Sequence, residues 1–196
     1  MNVGVFGGTF DPPHIGHLIV GEHVREALGL GKLIFVPTAI PPHKQDQKIT
    51  DSHHRLSMLR LATGGNLSLS VSPYEVEKGG VSYTVQTLTE FKQRMQGDSF
   101  FLLIGMDNLA EFRTWREPDK ILSLATVVVM TRPGLRPGAD EFLGDPRVRL
   151  VEVPAIGVAS TFLRQRVREG KSIRYLVPAE VEEYIVHHRL YVSTPG

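Results

Sequence analysis

Six short runs of β-branched and other apolar residues punctuate this chain, at 2–6, 32–36, 67–71, 100–104, 126–130 and 148–153, and segments with helical spacing fill most of the gaps. Few folds accommodate that alternation. Strands separated by helices cannot pair as hairpins, and the crossover connections they need give a mostly parallel sheet with helices on both faces. The expected architecture is a doubly wound α/β sheet with ligands at the carboxyl ends of its strands. The clearest helix covers about 14–28, where Ile15, Leu18, Ile19, Val24, Ala27 and Leu28 fall near a 3.6-residue spacing and Gly29 supplies a stop. Further helices are expected over 52–62, 83–95, 118–124, 161–169 and 178–187. At 196 residues the chain reads as a single domain over 1–196, with the helix-rich tail 161–191 packed on it.

Composition bears on function more than on fold. Lys and Arg number 22 against 21 Asp and Glu, a formal charge of +1, which supplies no broad field for nucleic acid or anionic lipid; neither a nucleic acid nor a membrane is an expected partner. The chain has no cysteine, which removes disulfides, thiolate zinc sites and thiol nucleophiles together and suits a reducing compartment. Its start lacks a basic region followed by a long apolar one, and the longest apolar run, 100–104, is far short of a membrane span. A cytoplasmic location is expected, and a homo-oligomer is compatible with the sequence. Two Pro/Gly-rich stretches, 37–42 and 132–146, read as long loops that are either functional lids or ordinary surface excursions.

The segment Gly7-Gly8-Thr9-Phe10-Asp11-Pro12-Pro13-His14-Ile15-Gly16-His17 lies between the first strand and the first helix. Two glycines let the backbone turn tightly and bring bare N–H groups to a ligand, and the helix that follows offers its positive end to phosphate. His14 and His17, three apart, project from one side of the first turn, where they can donate to phosphoryl oxygens, and Gly16 leaves room for a flat ring or a phosphate. The plain alternative is a tight turn followed by histidines that cap or line a helix. A metal site is not expected, because this pair has no evident third ligand. The Gly-Gly turn departs from the G-x-G-x-x-G dinucleotide fingerprint, and Gly170-Lys171-Ser172 fails as a phosphate-binding P-loop because Gln165 stands where glycine is needed.

This segment resembles the phosphate loop of the nucleotidyltransferase superfamily, with its T/HxGH motif. The much longer class I aminoacyl-tRNA synthetases fit poorly, since no Lys-Met-Ser-Lys-like segment is present. Pro41-Pro42-His43-Lys44, Gly105-Met106-Asp107 followed by Trp115, Thr131-Arg132-Pro133-Gly134, and Val158-Ala159-Ser160-Thr161-Phe162-Leu163-Arg164 are together similar to the pattern of the bacterial nicotinate-nucleotide adenylyltransferases. The last motif departs from the usual Ile-Ser-Ser-Thr-x-x-Arg at Val158 and Ala159, which removes one hydroxyl and leaves the Ser160, Thr161 and Arg164 part intact.

The resemblance implies a Rossmann-like fold that adenylates nicotinate mononucleotide with ATP, releasing nicotinate adenine dinucleotide and pyrophosphate, with Mg²⁺ accompanying ATP. It implies catalytic roles for His14, His17 and Arg164, and an ATP site built from Gly7, Gly8, Thr9, Phe10, Gly16, Gly105, Asp107, Arg132, Ser160 and Thr161. It further implies a mononucleotide site at Lys44, Thr84 and Trp115, with the indole stacked on the pyridine ring. Each residue has an ordinary alternative. Ser160, Thr161 and Arg164 suit a capped surface helix, Asp107 an N-cap, Trp115 a packing role, Thr84 a helix start and Lys44 a solvated loop. Another small adenylyl- or cytidylyltransferase, such as the phosphopantetheine enzyme, would not explain Trp115 or the Pro41-Pro42-His43-Lys44 loop. A nucleotide-binding regulatory module without turnover is the alternative from a different class.

Overall fold

The computed structural model describes residues 1–41, 49–134 and 141–192. Its strands are β1 (Asn2–Gly8), β2 (Lys32–Pro37), β3 (Leu69–Val71), β4 (Ser99–Gly105), β5 (Ala125–Thr131) and β6 (Val148–Glu152). The helices are α1 (Ile15–Ala27), α2 (Ser52–Thr63), α3 (Tyr74–Lys78), α4 (Thr84–Arg94), α5 (Met106–Ala110), α6 (Pro118–Leu124), α7 (Ser160–Arg168) and α8 (Ala179–His187). One six-stranded sheet in the order β3-β2-β1-β4-β5-β6 has every neighbouring pair parallel. The strand order reverses between β1 and β4, so a crevice opens at their carboxyl ends, Gly8 and Gly105.

Neighbouring strand residues point to opposite faces, and a sheet covered on both sides needs apolar residues at all of them. Ile34 and Val36 of β2 join Leu102, Ile104, Val127 and Val129 in one core, while Leu33 and Phe35 join Phe101, Leu103 and Val128 in the other. The first core is covered by Val85, Leu88 and Phe91 of α4, Leu109 of α5 and Ile121 and Leu122 of α6. Val24 of α1 and Leu59 of α2 cover the second. A third cluster joins Met58 of α2 to Leu163 of α7, Ile173, Val177, and Val181 and Ile185 of α8, which seats the tail beside the loop after β1.

The expected alternation stands, with differences that have physical causes. Strand β3 is three residues long, because Asn66 turns the chain first, its Oδ1 accepting from the Ser68 N–H, and Leu67 is left 99% exposed. Helices α3 and α5 have no sequence signal, since five residues are too few to show a periodic face. Within the second Pro/Gly-rich stretch, the described part holds a 3-10 turn, Glu141–Gly144, that buries Phe142.

Candidate active site

The loop after β1 takes its shape from Phe10. This residue has φ of 49°, a left-handed conformation that a bulky side chain adopts only under constraint, and the constraint is its buried ring. The ring lies 5.6 Å from that of Phe6, 5.7 Å from Phe35 and 4.9 Å from His17. Its side chain therefore faces the core, and only the Phe10 backbone is available to a ligand. Gly8 is needed here for close approach, because a Cβ would stand 2.9 Å from the Phe10 ring. Gly7, by contrast, faces open space.

His14 is the N-cap of α1 and His17 lies one turn on, and their rings stack with centroids 3.7 Å apart. His17 Nδ1 accepts from the His14 backbone N–H at 3.2 Å. A neutral imidazole that accepts at Nδ1 carries its proton at Nε2, so this contact assigns the tautomer and leaves Nε2–H as the donor. Both rings are neutral at pH 7: burial lowers His14 to about 4, and burial, with repulsion from His14, lowers His17 to about 3. The room left by Gly16 is taken by the His14 ring itself. A Cβ at position 16 would lie 3.0 Å from His14 Nδ1, an atom with no hydrogen-bond partner among the described residues.

Three distant segments, at 50–55, 160–164 and 191, clamp the loop. Arg55 of α2, 1% exposed, donates to three carbonyl oxygens: Thr9 at 2.8 Å, Ala39 at 3.0 Å and Thr50 at 2.8 Å. Buried Asp11 accepts from the Tyr191 hydroxyl at 2.7 Å and from the Thr50 N–H at 3.2 Å. Arg164 Nη1 donates to the Asp11 carbonyl at 2.7 Å, and Ser160 Oγ donates to the Pro12 carbonyl at 2.9 Å. The expected residues Arg164 and Ser160 thus reach the loop directly. Arg55, Asp11 and Tyr191 carry as much of the geometry and were not singled out from the sequence. Arg55 did leave a signal, an arginine at helical spacing from Met58 and Leu59 on an apolar face; Tyr191 left none.

Beside the loop lies a cavity of about 550 Å³. It brings Gly7, Gly8 and Thr9 together with Thr84 and Trp115, while His14, His17, Ser160 and Arg164 are not among the residues that line it. Thr84 opens α4 behind Tyr83, whose side chain makes no cap; the Gln86 N–H turns back to the Tyr83 carbonyl at 2.9 Å, which leaves the N–H groups of Thr84 and Val85 without a side-chain cap. Trp115 follows a 3-10 turn, Phe112–Thr114, and packs on Phe112 at 5.4 Å. Arg116 lays its guanidinium over the Tyr83 ring, 4.8 Å from the centroid. Glu75 is buried in the cavity wall, with one oxygen accepting from Thr87 Oγ1 at 2.5 Å. Burial pushes its carboxyl up, toward the neutral form.

The remaining expected residues lie around this centre. Gly105 ends β4 in open space and is the N-cap of α5, whose first turn holds Asp107. Asp107 is exposed and makes no cap; it is Asn108 and Glu111 that line the cavity. Arg132 is exposed just past β5, and Thr161 is exposed in the first turn of α7, where Ala159 is the N-cap. Lys44 lies outside the described residues.

A glycine-ended β1, a histidine pair opening α1 and a cavity at the point where the strand order reverses define a nucleotidyltransferase of the cytidylyltransferase-like class, and the family model of that description matches residues 5–166. The chain is 42% identical to the probable nicotinate-nucleotide adenylyltransferase of Salinibacter ruber over 99% of this chain and 100% of that one. It is 43% identical to its counterpart from Thermomicrobium roseum, over 96% and 91%. It belongs to the nicotinate-nucleotide adenylyltransferase family. Its fold is also that of Plasmodium falciparum nicotinic acid mononucleotide adenylyltransferase, solved as a complex with NaAD, with a TM-score of 0.77 at 18% identity and 97% of both chains covered.

Proposed function

We propose that the chain transfers the AMP unit of ATP to nicotinate mononucleotide, giving nicotinate adenine dinucleotide and pyrophosphate. The observation that carries this reading is the cavity that unites the glycine end of β1 with Trp115 and the uncapped start of α4. Phosphate groups suit the first, and an aromatic ring bearing a carboxylate suits the other two. The mononucleotide's 5′-phosphate has its second pKa at about 6 and is mostly dianionic at neutral pH, so no protein base is required. One of its oxygens bonds to the α-phosphorus of ATP as the bond to the pyrophosphate oxygen breaks, and the electron pair leaves with pyrophosphate. His17 donates from Nε2 to the α-phosphoryl oxygens, His14 supports it through the stacked ring, and Arg164, held by the Asp11 carbonyl, presents its charge to the phosphates.

Mg²⁺ belongs to the same proposal as an ion carried by the ATP phosphates. The described residues contain no group of three or more His, Asp or Glu side chains arranged to hold one. No helix among the described residues is long and apolar enough to cross a membrane. A cytoplasmic location, with ATP at hand, is part of the same reading.

The test is pyrophosphate release and dinucleotide formation from ATP and nicotinate mononucleotide. Turnover is expected, with His17→Ala lowering kcat on the order of a hundredfold or more. Absence of turnover in the native chain would leave a nucleotide-binding module. With ATP chiral at an α-thiophosphate, direct attack gives inversion, and net retention would indicate an adenylyl-enzyme.

A further inference from the structure

The backbone amides at the start of α4 can serve a carboxylate and a carboxamide oxygen alike, so amides alone separate nicotinate from nicotinamide weakly; a fixed positive charge separates them well. Among the described residues that line the cavity, Arg116 is the only basic one, against the acids Glu75 and Glu111. Its place is built by the chain on either side. Trp115 is anchored behind it by its N–H to the Phe112 carbonyl at 3.1 Å, and Glu117 ahead of it is held at φ of 55° just before Pro118, the first residue of α6. A left-handed glutamate beside a proline is a costly corner, of the kind that persists where surrounding structure imposes it. From this corner the indole goes to Phe112, while the guanidinium crosses to the face of Tyr83, the residue immediately before the uncapped start of α4. Among the described residues the ion partner of Arg116 is Glu117, 3.7 Å away on a half-exposed surface and itself shared with Lys120 at 3.5 Å, a pairing too weak to neutralise it.

We propose that Arg116 is a specificity-determining residue, whose guanidinium, held over Tyr83 beside the start of α4, supplies the positive charge that selects a pyridine carboxylate over a carboxamide. This rests on the adenylyltransferase reading above. It adds a side-chain charge to the backbone donors of Thr84 and to the ring platform of Trp115. The planar fork suits a carboxylate, and the Tyr83 ring keeps it oriented before the ligand arrives. Glu75 is buried in the wall with Thr87 Oγ1 as its hydrogen-bond donor, and burial pushes its carboxyl up.

Trp115 is the only tryptophan, so ligand binding reads out directly as a change in its emission. Titrations of the native chain, Arg116→Gln and Arg116→Lys with each mononucleotide, paired with initial rates, test the assignment. Arg116→Gln should weaken nicotinate mononucleotide about tenfold and nicotinamide mononucleotide less than about twofold, with Arg116→Lys between. Raising salt from about 0.05 to 0.5 M should erode the preference of the native chain and leave that of Arg116→Gln unchanged. Equal weakening of both ligands, which would mean that Arg116 serves the shared phosphate or the fold, overturns the proposal, as does no weakening of either. A native chain that makes dinucleotide while Arg116→Gln keeps the native ratio refutes the Arg116 role alone. A native chain that makes none from either mononucleotide refutes the adenylyltransferase reading, and the proposal with it.

Discussion

The burial of His14 and His17 against each other keeps both rings neutral, able to donate through N–H dipoles rather than full charge. It has a pH signature. Both folded-state values lie below the ordinary 6.5, so above that pH neither state takes a proton and stability is unaffected. As pH falls from about 6.5 toward 4, the unfolded chain binds protons that the folded one refuses, and stability is lost. The loss should reach roughly 2 kcal/mol per ring by pH 5. His17→Ala should flatten the pH dependence of the denaturation midpoint over that interval, and an unchanged slope would place the titration elsewhere. Gly16→Ala tests the His14 ring separately. Alanine favours the helix, so the thermal midpoint should hold or rise, while the displaced ring lowers turnover about tenfold or more. The histidines and glycines of this segment were legible in the sequence because their chemistry and spacing are local. The stacking of the rings, and the use of the Gly16 space by His14, depend on side-chain packing that spacing does not encode.

Among the elements, α2 does more than cover the sheet, because Arg55 ties three carbonyls from separate segments. Arg55→Met keeps most of the volume and leaves those carbonyls without their donor. A loss of about 3 kcal/mol in chemical denaturation is expected, and one under about 1 kcal/mol would show that the clamp is dispensable. Arg55→Lys should recover little, since an ammonium cannot span the fork. The strands and long helices were readable from alternation and periodicity. Helices α3 and α5 were not, although they border the cavity: Glu75, Asn108 and the turn leading to Trp115 all sit on or next to elements too short to announce themselves. Half of the candidate site therefore rests on structure that only tertiary packing decides.

At the scale of the whole molecule, the loop after β1 is held by the far end of the described chain. Tyr191, itself in a left-handed conformation at φ of 64°, crosses 180 positions of sequence to donate to Asp11, and the Leu176 carbonyl accepts from the Ile15 N–H at 3.1 Å. Tyr191→Phe removes a single donor from a buried carboxylate. It should cost about 1–2 kcal/mol and lower the thermal midpoint by about 4 °C, with kcat for ATP falling as Asp11 and Arg164 loosen. An unaltered midpoint and rate would make the contact incidental. Nothing in the local sequence points to this pair, because no periodic pattern relates residues so far apart. The same contact sets an order of events during synthesis. The ribosome makes Asp11 early and Tyr191 near the end of the described residues, and at about 5–20 residues per second the interval between them is roughly ten to forty seconds. A nascent chain can lay down its first strands in that time and clamp the loop after β1 through Arg55, Ser160 and Arg164, yet it cannot close the Asp11 side-chain contact until translation has passed Tyr191, so a product cut short just before that residue would carry the whole glycine and histidine segment without its last latch.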